Sequence, residues 1–288
     1  MKNIFLLIIL ICTCCLIHIK AQRNELGISI GRANIIGDIG KTNYIEILPM
    51  DMDRIPISLG LLYRYNLDNR QSLRLNLIYN RVFFDDEKAS EDYRYKRLIS
   101  GSNTILETSV LFEYYFFDIN DIKYSGSSPY IFAGIGGYGY NDRKYTINHT
   151  RAKNSDGSFR NPKDYKDFIT EENYKKSVKF GFNIPFGIGY KIKIKYDWLL
   201  SFEVGARYTF QDNLDYSSVK NKNITINVDP KLNSISATDS NIKDEINRRN
   251  SKIIGKHQTG NTFKSNDWYL IWGINLTYTF GRPPCYCY

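Results

Sequence analysis

Eight stretches of this chain alternate bulky apolar residues with mostly small or polar ones, and that period of two commits the chain to β-strands. They run Leu26–Gly31, Ile57–Tyr65, Leu73–Asn80, Leu106–Phe116, Tyr130–Tyr140, Phe180–Tyr190, Trp198–Phe210 and Trp268–Phe280. The seventh is typical. Trp198, Leu200, Phe202, Val204 and Tyr208 share one face, and Ser201, Glu203, Gly205 and Arg207 share the other. A water-soluble barrel would hide the aromatic face and expose the second to solvent. A membrane barrel turns the apolar face to lipid and the small or polar face to the lumen. Glycine loads the second face, which a solvated surface has no reason to prefer. In a narrow eight-stranded barrel, glycine leaves room for long Arg and Glu side chains. Aromatic residues near the strand ends (Tyr63, Tyr65, Tyr79, Tyr138, Tyr140, Tyr190, Trp268, Tyr278) fit two interfacial girdles. The expected fold is all-β: an eight-stranded antiparallel transmembrane β-barrel of the outer-membrane type, with long extracellular loops.

The connections alternate in length. Short ones fall at Asn66–Arg70, near Asp118–Ser128 and at Ile192–Tyr196. Long ones fall at Ile35–Ile55, Phe84–Asn103, Asn141–Ser177 and Gln211–Asp267. Short periplasmic turns and long outer loops are the arrangement of a barrel with both termini in the periplasm. The last two long loops are rich in Asn, Asp, Lys and Ser and read as mobile, solvated segments.

The fifth stretch contains Gly134-x-Gly136-x-x-Gly139, the spacing of a dinucleotide-binding loop. That motif needs a helix opening just behind it to meet the pyrophosphate. Asn141, Asp142, Arg143 and Lys144 follow instead, with no apolar period of 3.6. The glycines are read as lightening a crowded barrel strand. Tyr130, Phe132, Tyr138 and Tyr140 are expected on its lipid face, with Ile131, Ala133 and Ile135 as the competing choice. Pro185 removes a ladder donor, so a bulge is expected near it.

The first residues have the layout of a secretory signal: Lys2, an apolar run from Ile4 to Ile17, then Ala21 at the expected cut. This divides the chain into a signal peptide (1–21), a barrel (22–280) and a periplasmic tail (281–288). Three of the five cysteines (Cys12, Cys14, Cys15) leave with the signal, so no disulfide framework holds the fold. The net charge of +9 suits solvated loops near an anionic surface, and export argues against nucleic acid as a partner.

Six charges fall on the lumen face: Arg64, Arg74, Glu107, Glu113, Glu203 and Arg207. They could gate a channel or pass protons. Their balance of three against three, in a barrel with little room for water, favours a mutually paired plug. Catalysis is not expected. There is no GxSxG or HExxH, and the mature chain's two histidines, His149 and His257, sit in polar outer loops. No cofactor or metal is implied. In the tail, Arg282, Cys285 and Cys287 stand as possible partner contacts, held away from the barrel rim by Pro283-Pro284. Two cysteines one residue apart are awkward to bridge to each other.

The opening Glu25-Leu26-Gly27 with Gly31 and then Ile36-Gly37-Asp38 resembles the "ELG…G…GD" start of PorG-like small outer-membrane barrels of Bacteroidetes-type bacteria. The Pro129–Gly139 strand and the aromatic last strand with its short cysteine-bearing tail look similar too. The resemblance implies an outer-membrane component of the type IX secretion system, without catalytic residues, docking periplasmic secretion-ring proteins through its turns and tail. The long loops depart from that group. The other expected contact is outer-membrane lipid or lipopolysaccharide. The alternative reading is an OmpA/OmpX-like small barrel acting in adhesion or envelope integrity through its outer loops.

Overall fold

A computed structural model describes residues 24–40, 55–120, 126–161, 167–195, 197–260 and 266–280. The signal segment 1–21 and the tail residues Arg282, Cys285 and Cys287 lie outside the described residues. The alternating stretches become β1 (Asn24–Ile36), β2 (Ile57–Asn66), β3 (Gln71–Asp85), β4 (Ser100–Tyr115), β5 (Ser127–Arg151), β6 (Phe168–Lys193), β7 (Trp198–Thr209) and β9 (Trp268–Phe280). Strands β1 to β7 each pair antiparallel with the next, and β9 joins β7 to β1. These eight strands therefore form a closed ring without an edge. The ninth strand, β8 (Ile224–Val228), stands outside the ring and pairs parallel with β5.

Outward positions form an apolar belt in which Leu26, Ile28, Ile30, Leu59, Leu61, Leu75, Leu77, Val110, Phe112, Ile188 and Phe202 are all exposed. The same strands bury Arg64, Arg74, Glu107, Glu113 and Asn275. An apolar outside and a charged inside define a membrane-spanning barrel. Asn24 pairs with Phe280, the tight turn at 67–70 closes the same end, and there the Ile194 amide also bonds the Trp198 carbonyl.

Strand β5 corrects the expected face. Tyr130, Phe132, Tyr138 and Tyr140 point inward and are almost fully buried, while Ile131 and Ile135 face out. Tyr138 and Tyr140 therefore leave the girdle. The cause lies on the neighbouring strand, β6, where Tyr130, Phe132 and Tyr138 pair with Gly189, Gly187 and Gly181. A Cβ built on Gly189 would meet the Tyr130 ring at 2.4 Å, one on Gly181 the Tyr138 ring at 2.8 Å, and one on Gly187 the Phe132 ring at 2.6 Å. The inward glycines of β6 make room chiefly for aromatic rings, not for Arg and Glu. Gly134 and Gly136 face in, and Gly137 and Gly139 face out. No bulge forms at Pro185: Ala133 pairs with Phe186 and Gly136 with Asn183 in one register, and the ladder only lapses between them.

The loop read as Asn141–Ser177 is largely sheet. The β5–β6 ladder continues to Arg151↔Phe168, well past the last β4 partner of β5 at Tyr140. That leaves a β5 edge from Tyr145 to His149, which β8 covers. The loop Gln211–Asp267 is also ordered in large part. Besides β8 it forms α2 (Pro230–Ser236) and α3 (Ser240–His257), α1 being a single turn at Asp92–Tyr95 in the preceding loop. Asp229 caps α2, accepting from the Lys231 and Leu232 amides, with Pro230 in the first turn, and Asp239 caps α3. Ile242 and Ile246, one turn apart, pack with Leu232 against Phe168. His149 and His257 are buried in this cap instead of solvated. His149 bonds Thr170 Oγ1 and Asn250 Oδ1, each at 2.9 Å, and His257 stacks on Tyr145 at 3.9 Å with its Nε2 2.5 Å from Glu172 Oε1.

Candidate functional site

Alternation along neighbouring strands stacks the inward charges into tiers. In the lower tier Glu25 of β1 lies beside Arg64 of β2, and Arg64 beside Arg74 of β3. Like charges side by side repel, and Glu113 of β4 resolves this by bridging them. Its Oε2 lies 2.6 Å from Arg64 Nε and its Oε1 2.9 Å from Arg74 Nη1. Glu25 takes the other side of Arg64 at 2.5 Å and holds Lys191 Nζ at 2.7 Å. Arg74 also pairs with Glu203, to which the Tyr130 hydroxyl donates. The Tyr115 hydroxyl donates to Glu113 at 2.5 Å. In the upper tier Arg207 and Glu107 lie 3.5 Å apart, and the Tyr269 hydroxyl donates to Glu107 at 2.5 Å.

The six lumen charges expected from the sequence thus divide into four below (Arg64, Arg74, Glu113, Glu203) and two above (Glu107, Arg207). Glu25 and Lys191 were missed. Both sit on the inward parity of their strands, Glu25 with Gly27 and Gly31, Lys191 with Gly187 and Gly189, which is the signal that could have found them. With them the balance is four cations to four carboxylates. A cavity of about 20 Å³ separates the tiers, lined by Arg74, Asn76, Glu203, Arg207 and Asn275. It has room for about one water molecule, with orphaned Arg74 and Asn275 donors beside it.

Above the charges the mouth is stoppered. Ile39, Leu214 and Tyr216, from two outer connections, pack on Ile35, Val82, Phe84, Ile105 and Tyr140 of the wall. Tyr216 takes a left-handed backbone (φ 64°), rare for a bulky residue, with Arg143 over its ring at 3.9 Å and Phe84 edge-on at 5.8 Å. Asp86 fastens two loops together, accepting from the Gly40 amide at 2.9 Å and pairing with Arg97 at 2.7 Å. Asp38, Asp212, Asp215 and Asp267 gather beside the stopper, and none of the four makes an ion pair among the described residues. The Asp215 carboxylate accepts from the Ile39 amide at 2.9 Å and Asp267 from the Leu214 amide at 2.7 Å, so these acids position the stopper residues. Burial, then Asp215 and Asp212, push Asp38 up to about 6. Burial first also raises Asp212 and Asp215, and lifts Asp267 well above the carboxylate range with Asp215 next in effect.

Among the described residues no group of three or more His, Cys, Asp or Glu could hold a metal ion. The lumen's four cations and four carboxylates pair with one another, while a few buried polar atoms such as Arg74 Nε, Glu107 Oε1 and Asn275 Nδ2 have no hydrogen-bond partner among the described residues.

A membrane-spanning barrel of this build, sealed by paired charges and a loop stopper, is the class the geometry defines. The chain belongs to the DUF6089 family, a domain of unknown function, whose model matches residues 2–165, 161–236 and 234–288. No curated protein matches. Among solved structures it is similar to Ail, the attachment invasion locus protein of Yersinia pestis, in complex with the heparin analogue sucrose octasulfate. That match has 11% identity and a TM-score of 0.38, covering 90% of this chain and 99% of Ail. The N-terminal β-barrel domain of Pseudomonas aeruginosa OprF matches at 10% identity and a TM-score of 0.37, covering 90% of this chain and 98% of that one. Pseudomonas aeruginosa OprG matches at 11% and 0.36, covering 90% and 97%. These likenesses are low, and the barrel assignment rests on this chain's own strand pairing and apolar belt.

Proposed function

We propose that this chain is a non-enzymatic anchor of the bacterial outer membrane, exported by its first 21 residues and acting through its surfaces. The filled lumen carries this reading. With Arg64, Arg74, Lys191 and Arg207 spent on carboxylates and the mouth stoppered, solute passage is not its task, and binding at either membrane face remains. The finer proposal is an accessory role in type IX secretion, docking periplasmic ring proteins through the turns and the 281–288 tail. It draws support from the Glu25-Leu26-Gly27 opening and its PorG-like resemblance. A second reading, adhesion or envelope integrity through the outer face, is favoured by the ordered cap of β8, α2 and α3.

The test is a cross-linked pull-down from intact outer membranes, comparing the full chain with one ending at Phe280. Secretion-ring proteins captured by the full chain and lost on truncation support docking through the tail. An inserted barrel that captures none in either form rejects the secretion role and moves attention to the cap.

A further inference from the structure

The outer wall of the barrel is not uniformly covered. In the upper half of β5 the outward positions are Gly137 and Gly139. Gly137 lies between Thr108 of β4 and Phe182 of β6, and Gly139 between Leu106 and Phe180. Strands are spaced about 4.8 Å apart, so the flanking strands stand roughly 10 Å apart, with bare backbone over Gly137 and the Phe180 ring leaning to 3.3 Å from a Cβ built on Gly139. The result is a groove of about 660 Å³. A Cβ built on Gly137 would meet only the Gly181 carbonyl, at 3.9 Å, so the space over it is open. Phe180 and Phe182, the groove's far wall, are 82% and 76% exposed, and Ile135 below its floor is 72% exposed.

The groove's level and upper end say what fits it. Leu106 pairs with Tyr79, an outward aromatic at the girdle, so the groove runs down from the outer interface into the hydrocarbon. Its lining below Asn141 is apolar or glycine, apart from Thr104 and Thr108, and an open apolar slot one side chain wide matches an acyl chain. Above it the register brings Lys176 opposite Arg143, and Arg81 opposite Thr104. Lys176 is exposed and makes no ion pair among the described residues, and Arg81 rests over Phe83 at 5.1 Å with its charge outward. These two cations sit where lipid phosphates lie. The β5–β6 hairpin then continues past the groove from Asn141 to Arg151, about 33 Å further along the strand at the strand rise. That wall is taller than a phospholipid headgroup and matches one built of several sugars.

We propose that this groove seats one acyl chain of a phosphorylated glycolipid of the outer leaflet, with Lys176 and Arg81 meeting its phosphates. The inference requires only that the barrel spans an outer membrane. It is independent of any role in secretion.

The test is native mass spectrometry of the purified full chain after incubation with equal amounts of lipid A and phosphatidylglycerol. The expected result is one lipid A retained per barrel. Retention should fall at least tenfold in Gly137→Leu, which fills the slot, and several-fold in Lys176→Gln, while the heat-modified gel shift of the folded barrel is unchanged. Thr108→Leu narrows the slot from the other wall and serves if the glycine variant fails to fold. Equal retention of both lipids, undiminished retention in every variant that folds, or a groove occupied by a second copy of the chain would each overturn the proposal.

Discussion

Glu113 bridges Arg64 and Arg74 at 2.6 and 2.9 Å, and without it two guanidinium groups would face each other on adjacent strands. A buried pair of this kind adds little net stability over an apolar core, but removing one partner leaves an uncompensated charge costing about 3–5 kcal/mol. Arg64→Met strips both Glu25 and Glu113 of a partner. It is expected to lower the barrel's unfolding free energy by about that amount, read from urea titration in lipid vesicles. A change under about 1 kcal/mol would mean that Lys191 and Arg74 re-pair the carboxylates. The sequence makes these residues legible because charge on the inward parity of a strand has nowhere else to go. Tyr130 and Phe132 were misassigned for the opposite reason. Both faces of β5 carry apolar residues, and the deciding contact, a ring set over a glycine of β6, belongs to another strand.

At the scale of elements, the parity of seven strands could be read directly, because the membrane demands an apolar outward face. Above the membrane that demand ends. The β5–β6 extension and the loop helices are then written in Asn, Lys, Asp and Thr, which look like solvated loop. Only the N-cap residues Asp229 and Asp239 and the one-turn spacing of Ile242 and Ile246 mark the helices. The same loops bring Asp38 from the end of β1, Asp212 and Asp215 from behind β7, and Asp267 from the start of β9 against the stopper. Arg94 and Arg97 of the preceding loop act electrostatically with Asp38 and Asp215, but their donors are spent on the Gly37, Gly40 and Asp38 carbonyls and on Asp86. Because these carboxyls are raised when folded, the native state holds more protons than the unfolded chain between the ordinary value near 3.8 and the raised one, about 6 for Asp38. Their contribution is full below the lower value and lost as pH rises through the upper one. The thermal unfolding midpoint in detergent should therefore fall from pH 5 to pH 8, with Asp267→Asn showing a flatter decline. A decline equally steep in Asp267→Asn would show that this group does not carry the dependence.

The whole molecule is a membrane ring closed at its centre and extended on one side. Eight strands remove every sheet edge within the bilayer, β8 covers the edge that β5 exposes above it, and the lumen is taken up by paired charges below and apolar loop residues above. Such a body serves through the surfaces it presents, and a sealed lumen is the premise on which that view stands. The most direct test is the conductance of the refolded full chain in planar bilayers. The account predicts traces indistinguishable from protein-free membranes over ±100 mV or so, since paired charges in a narrow barrel leave no aqueous path. Steady single-channel currents from heat-modifiable, folded protein would contradict it.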